Sequence, residues 1–178
     1  MIDFWVPGDP APAGSKTGFS PKGSTRVIIR DACERTKPWQ SWVKECAVKA
    51  YQGPLLTEAM KLQMIFTMPR PLSHYRSGKR ANPLKPTAPL YHTNAPDVTK
   101  LIRAVEDACT SVVWADDAQV VRTEGWKFYE TWEHPRGVLV VIEQLWPSVN
   151  PEPEGRDYDE LYSGVIRKAK ERAVGRVS

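Results

Sequence analysis

Hydrophobic and polar positions recur along this chain with periods that mark out most of its elements. In Lys61–Met68, KLQMIFTM, Leu62, Met64, Phe66 and Met68 fall on one side and Lys61, Gln63 and Thr67 on the other. That period of two predicts a half-buried strand. Trp39, Trp42, Val43, Cys46, Ala47 and Ala50 instead recur at i, i+3, i+4, i+7, i+8 and i+11, the spacing of a helix with one buried face. Thr36 suits its cap, Pro38 its first turn, and Gly53-Pro54 stops it. A second helix is expected over Asp97–Val112. There Leu101, Ile102, Val105, Ala108, Cys109 and Val112 share one arc. Asp97, Lys100, Ala104 and Asp107 form a ridge beside that arc, next to Arg103, and the small Ala104 leaves room for an ion or phosphate. Further strands are expected at Ile2–Val6, Thr25–Arg30, Ala118–Trp132 and Val138–Trp146, the last two joined by a turn at His134-Pro135-Arg136-Gly137. VLVVIEQLW starts apolar on both faces, as a central strand does.

Strands and helices in this order predict an α+β fold, a single mixed β-sheet with helices packed on it. Residues 1–147 read as one domain. Residues 148–178 read as a Pro/Glu linker and a short basic tail, with a helix at Asp159–Ala173.

The 178 residues, 20.1 kDa, suffice for one core. No apolar run approaches the roughly 18 residues of a membrane span. The opening MIDFWVPGDP does not read as a secretory signal. Cys33, Cys46 and Cys109 are few, odd in number and dispersed, which excludes a disulfide scaffold and a cysteine zinc site and suggests a reducing, cytoplasmic setting. His74, His92 and His134 lack ligand spacing, and no Gly-rich phosphate loop is present.

Net charge is +4, but its distribution says more. Ala59 to Pro96 contains no acid and carries Lys61, Arg70, Arg76, Lys79, Arg80 and Lys85; six prolines after Met68 make most of it a long loop. Asp97 to Glu133 then holds eight acids against Lys100, Arg103, Arg122 and Lys127. Two readings follow: solvated faces that neutralise each other, or a phosphate-binding arm beside metal-binding carboxylates. In the second, the helix-start Asp97 and the acids of Asp116-Asp117-Ala118-Gln119-Val120, brought together across one turn, would hold a hard divalent ion such as Mg²⁺. Arg103 or Lys100 would stabilise transition-state charge. In the first, Asp97 caps a helix, Asp116-Asp117 is a polar turn, Asp107 pairs with Arg103, Gln119 faces solvent and Trp114 is a core aromatic.

The run Pro96-Asp97-Val98-Thr99-Lys100-Leu101-Ile102-Arg103-Ala104-Val105-Glu106-Asp107-Ala108, followed by Trp114-Ala115-Asp116-Asp117-Ala118-Gln119-Val120-Val121, resembles the signature of RusA-type Holliday-junction resolvases. The likeness extends more loosely over Asp3–Val141. It implies a homodimeric, Mg²⁺-dependent endonuclease, with Mn²⁺ as a substitute ion, acting on four-way DNA junctions in recombination, repair or phage DNA processing. The host would be a bacterial or phage-infected cell. By that resemblance Asp97 and Asp117 are catalytic metal ligands, Asp116 joins them, and Arg103 stands where the family has a catalytic lysine. Lys100 and Asp107 lie beside them. Thr99 departs from the pattern, which has an acid there. An alternative is therefore a junction-binding protein with a weakened or inactive nuclease site. In either case the arm, with Arg70, His74, Tyr75, Arg76, Lys79, Arg80 and Lys85, would contact phosphates and stack on unpaired bases, and Lys16 would add a DNA contact.

Overall fold

The computed structural model describes residues 1–145, apart from 15, 21, 24, 25, 32, 81 and 82. Its main elements are β1 (Ile2–Pro7), β2 (Lys16–Phe19), β3 (Ile28–Asp31), α1 (Thr36–Ala50), β4 (Met60–Met68), α2 (Val98–Cys109), β5 (Val120–Tyr129) and β6 (Gly137–Gln144). The strand order is β1-β6-β4-β5 in one sheet, and β2 and β3 form a separate antiparallel ribbon. β6 runs antiparallel to β1 and to β4, whereas β4 and β5 are parallel. This is the expected mixed α+β sheet with two helices on it. The tail helix at Asp159–Ala173 lies outside the described residues. No helix among the described residues is long and apolar enough to cross a membrane.

Alternation fixes which side of β4 is buried. Met60, Leu62, Met64, Phe66 and Met68 are buried, and they join Phe4, Val6, Val138, Val140 and Ile142 of the neighbouring strands in one core. α1 contributes Trp39, Val43 and Ala47 to that core, and α2 contributes Leu101, Ala104, Val105, Ala108 and Cys109. β6 is indeed a central strand, which is why its first residues are apolar on both faces.

Several local expectations change. The turn at His134–Gly137 joins two strands that are not neighbours in the sheet, because β4 lies between β5 and β6 and hydrogen-bonds to both. β4 and β5, being parallel, need a crossover, supplied by the long loop and α2. The strand expected at Thr25–Arg30 is shorter and later, and its partner β2 carried no periodic signal. β5 starts only at Val120, since Asp117–Gln119 forms a 3₁₀ turn, and Trp132 beyond its end is fully exposed. Thr36 is not a cap: it is the first residue of α1, is buried, and donates its hydroxyl to Pro12 O at 2.7 Å. Trp42 and Ala50 lie at the exposed margin of the α1 stripe, and Trp42 Nε1 donates to Pro7 O at 2.8 Å.

Two glycines set how closely elements approach. A side chain at Gly137, whose φ is +154°, would run into Val6 O of β1. A Cβ at Gly125 of β5 would lie 2.7 Å from Ile102 Cδ1 and 3.2 Å from Val98 Cγ2, so this position lets α2 lie directly on β5.

Candidate acidic site and basic arm

α2 carries the acids, and its apolar arc determines where they point. Leu101, Ala104, Val105, Ala108 and Cys109 face the core. Burial pushes the Cys109 thiol up to about 12, with Asp117 and Glu106 adding to the rise, so it is a packing residue and not a nucleophile. Ala104 is fully buried and leaves no opening for an ion or phosphate. Of the ridge expected around it, Asp107 reaches α1, where Gln40 Nε2 donates to Asp107 Oδ2 at 3.1 Å.

At the start of α2, Asp97 occupies the N-cap position, and its carbonyl accepts from the N–H groups of Lys100 and Leu101. Its carboxylate makes no capping bond; Oδ2 pairs with Lys100 Nζ at 3.0 Å. Lys127 of β5 reaches the same place, donating to Asn94 O at 2.7 Å and Pro96 O at 2.6 Å. Burial lowers the Lys127 pKa while the Asp97 charge opposes the fall. Lys127 has no conspicuous place in the sequence. Its signal was the alternation along β5, which places Thr123, Gly125 and Lys127 on the side facing α2. Thr99 is exposed in the first turn of the helix.

A second group of acids lies at the other end of α2. Asp117 Oδ1 accepts from Trp114 Nε1 at 3.2 Å and from the Thr110 hydroxyl. Trp114 is fully buried, a core aromatic after all. Asp116 caps the 3₁₀ turn, accepting from Ala118 N at 2.8 Å, while Gln119 Oε1 accepts from Asp116 N. Gln119 Nε2 donates to Leu56 O at 2.9 Å, so this side chain is not turned to solvent. The Asp-Asp-Ala-Gln box therefore builds its own turn before any chemistry is asked of it. Glu106 accepts from Thr123 Oγ1 at 3.3 Å. Burial raises its pKa; the Thr123 hydrogen bond lowers it, Asp117 and Asp107 raise it, and Arg103 lowers it. Arg103 is exposed and packs along Gly14, where a Cβ would lie 3.2 Å from its Cδ.

Asp97 and Asp117 thus stand at opposite ends of a 12-residue helix, about 18 Å long at 1.5 Å per residue. The expectation that they meet across one turn fails within a single chain. The turn bearing Asp117 follows the end of α2, and the carboxylate is anchored there by Thr110 and Trp114. Among the described residues, no group of three or more His, Cys, Asp or Glu side chains is placed to hold a metal ion.

The arm between β4 and α2 is more ordered than its prolines suggest, with 3₁₀ turns at Leu72–His74 and Arg76–Gly78. Arg70, expected on the exposed arm, is buried instead. It is 2% exposed, donates from Nε to Glu130 O and from Nη1 to Pro89 O, each at 2.9 Å, and lies over the Tyr129 ring. His74 packs edge-on against Tyr129, and its pKa is lowered by burial and then by Arg70 and Lys85. Arg80 pairs with Glu130 at 2.9 Å. Tyr75 is half-buried and pairs by a backbone bridge with Leu84. Arg76, Lys79 and Lys85 are exposed, as is Lys16 in β2.

The profile of the family described as Endodeoxyribonuclease RusA matches residues 7–143. The chain is also similar to a Bacillus subtilis (strain 168) protein named Uncharacterized protein YqaN, 29% identical over 142 residues that span 80% of this chain and 96% of the other.

Proposed function

Since this chain belongs to the RusA endodeoxyribonuclease family across residues 7–143, we propose that it is a structure-selective endonuclease that resolves Holliday junctions and related branched DNA by phosphodiester hydrolysis. The observation that carries this reading beyond the family match is the carboxylate of Asp97. It sits exposed at a helix N-cap yet makes no capping bond, and its Oδ2 pairs with the Lys100 ammonium in a solvent-exposed contact of the kind that contributes little and that a metal ion can displace. The chain's own residues have definable roles. Asp117 is oriented by Trp114 and Thr110. Arg103, exposed beside Gly14, offers a permanent positive charge to a pentacovalent phosphate but does not serve as a proton donor. Lys79 and Lys85 supply phosphate contacts on the arm.

Mg²⁺, with Mn²⁺ in its place, belongs to this reading through the resemblance. The carboxylates of one chain do not fit such an ion. Hard divalent cations need oxygens converging within about 2.0–2.6 Å of one point, and Asp97 lies a helix length from Asp116 and Asp117.

The reading is tested on a synthetic four-way junction and a matched linear duplex, each with and without Mg²⁺. Paired nicks in the junction alone, dependent on the ion, are expected; equal cutting of the linear duplex, or no binding to the junction, would overturn it. In the same assay, Lys79→Ala with Lys85→Ala is expected to weaken junction binding about equally for all sequences. The slope of log affinity against log salt should fall by roughly one per lysine removed.

A second reading, a junction-binding protein with an impaired nuclease site, is favoured by Thr99, which brings a hydroxyl to the first turn of α2 where the family pattern has a carboxylate. Thr99→Asp should then raise Mg²⁺-dependent cutting by at least about tenfold, a barrier change of about 1.4 kcal/mol. An unchanged rate in a parent that already cuts shows that the threonine is tolerated.

A further inference from the structure

We propose that Lys127 is a positioning residue: it pins the chain just before Asp97 to β5 and so fixes where that carboxylate stands, an inference that rests on the endonuclease reading above.

Burial does not order this part of the chain. Thr93, Asn94, Ala95 and Asp97 are all exposed, and Pro96 is half-buried. Exposed connections are ordinarily the mobile parts of a fold. A carboxylate at a reacting centre needs the opposite, because a displacement of about 1 Å can cost about a hundredfold in rate. α2 supplies only part of the order. It fixes the Asp97 carbonyl through the N–H groups of Lys100 and Leu101, but the carboxylate makes no capping bond. The direction in which the chain enters the helix therefore sets where the carboxylate points, and residues 94–96 set that direction.

The missing order comes from β5. The chain first pairs with the end of that strand. Tyr91 bridges Phe128 in antiparallel fashion, and Tyr129 N donates to Leu90 O and His92 N to Lys127 O, each at 3.0 Å. His92 is buried, with its ring against Tyr129. Beyond His92 this ladder stops. Among the described residues, no backbone N–H bonds to Asn94 O or Pro96 O. One group takes both carbonyls, the Lys127 ammonium, at 2.7 and 2.6 Å. Charge-assisted bonds this short are the strong ones, and they commit two of the three ammonium donors.

Lys127 is suited to this by its own place. It stands in register with Phe66 of β4, inside the sheet, and is half-buried. The alternation of β5 turns its side chain toward α2. Its backbone carbonyl thus holds His92 while its side chain holds the last residue before Asp97. Asn94 adds a bond from Nδ2 to the Tyr129 hydroxyl at 3.3 Å, on the next residue but one of the same strand. A stretch that burial leaves loose is fastened to the rigid sheet at residues 90, 92, 94 and 96.

Wild type, Lys127→Met and Lys127→Arg, compared on the four-way junction and by NMR relaxation, test the pin. Methionine keeps the stem and removes the donors. It should lower the maximal cutting rate at least about tenfold and leave the junction concentration at half-saturation within about twofold. Backbone order parameters of Thr93, Asn94 and Ala95 should drop from about 0.85 to below about 0.6, the values of rigid and flexible backbone. Those of β4 and β6 should not change. Arginine keeps both donors and charge and should recover rate and order together. An unchanged maximal rate in Lys127→Met overturns the proposal. So does a lost rate with unchanged order at residues 93–95, which makes Lys127 a charge and not a pin. A loss confined to half-saturation makes it a DNA contact, and order lost throughout β4 and β6 makes it a structural residue; either result overturns the pin as well. A wild type that does not cut defeats the endonuclease reading and the pin with it, whereas an active wild type beside any of those results defeats the pin alone.

Discussion

Asp117→Asn is expected to lower junction cutting at least about a hundredfold while junction binding and folding persist. The expectation follows from how the side chain is held. Oδ1 accepts from the buried Trp114 indole and from the Thr110 hydroxyl, and an amide oxygen accepts the same two bonds. The substitution therefore removes negative charge without removing the anchor. Loss of one preorganised electrostatic group at a reacting centre costs about 10²–10³ in rate. Asp117→Ala separates the two functions of the residue. It leaves the Trp114 N–H buried without an acceptor, a loss of about 1–3 kcal/mol, so this variant should unfold at a clearly lower urea concentration as well as fail to cut. Cutting assays beside urea titrations distinguish the cases. An Asp117→Asn protein that unfolds early or no longer binds the junction would make Asp117 a structural residue.

Much of this architecture is legible in the sequence because burial imposes periods. The alternation of KLQMIFTM becomes β4 with the predicted face inward, and the apolar arc from Leu101 to Cys109 becomes the buried side of α2. What eludes periodicity is pairing. Nothing local tells β6 that it will lie between β1 and β4, since a Pro-Gly turn after β5 looks the same whether it closes a hairpin or crosses over a strand. The short ribbon strand at Lys16–Phe19 has too few residues to show a period at all. The acidic residues were recognisable as a set, but not their spacing in three dimensions. The motif reads as one cluster along the chain, whereas α2 holds its two halves a helix length apart. Lys127 was missed for a related reason. Its role depends on carbonyls of Asn94 and Pro96, about thirty residues earlier in the chain, and no side-chain pattern encodes a backbone acceptor.

Arg70 is the residue whose place in the fold differs most from its appearance in the sequence, and Arg70→Met should destabilise the protein by about 1–3 kcal/mol for each of the two buried carbonyls it leaves without a donor. In the sequence it opens a run of cations with no acid near it. In the structure, Glu130 comes from the end of β5 to meet it. Arg70 N donates to Glu130 Oε1 at 3.0 Å, the guanidinium takes the carbonyls of Glu130 and Pro89, and Arg80 and Arg136 complete the carboxylate's partners. Methionine retains the volume but leaves two buried carbonyls without donors and removes the cation from the Tyr129 ring. Burial pushes the Glu130 pKa up, but the Arg70 N–H and the Arg136 and Arg80 charges outweigh it and hold the carboxyl below its ordinary value. A folded pKa below the unfolded one contributes stability that is present above the unfolded pKa and is lost as pH falls through the folded one. That acid-side loss should appear in wild type and variant alike, because the Arg70 backbone N–H and both other arginines remain. The deficit caused by Arg70→Met should stay constant above about pH 7.5 and shrink as pH falls through the ordinary histidine pKa of about 6.5, because the variant removes a charge that lowers the His74 pKa. Junction affinity provides the opposing measurement. Well below the unfolding temperature, a buried arginine that only anchors the arm should leave affinity unchanged on substitution. A variant with wild-type stability and lost DNA binding would instead return Arg70 to the nucleic-acid surface.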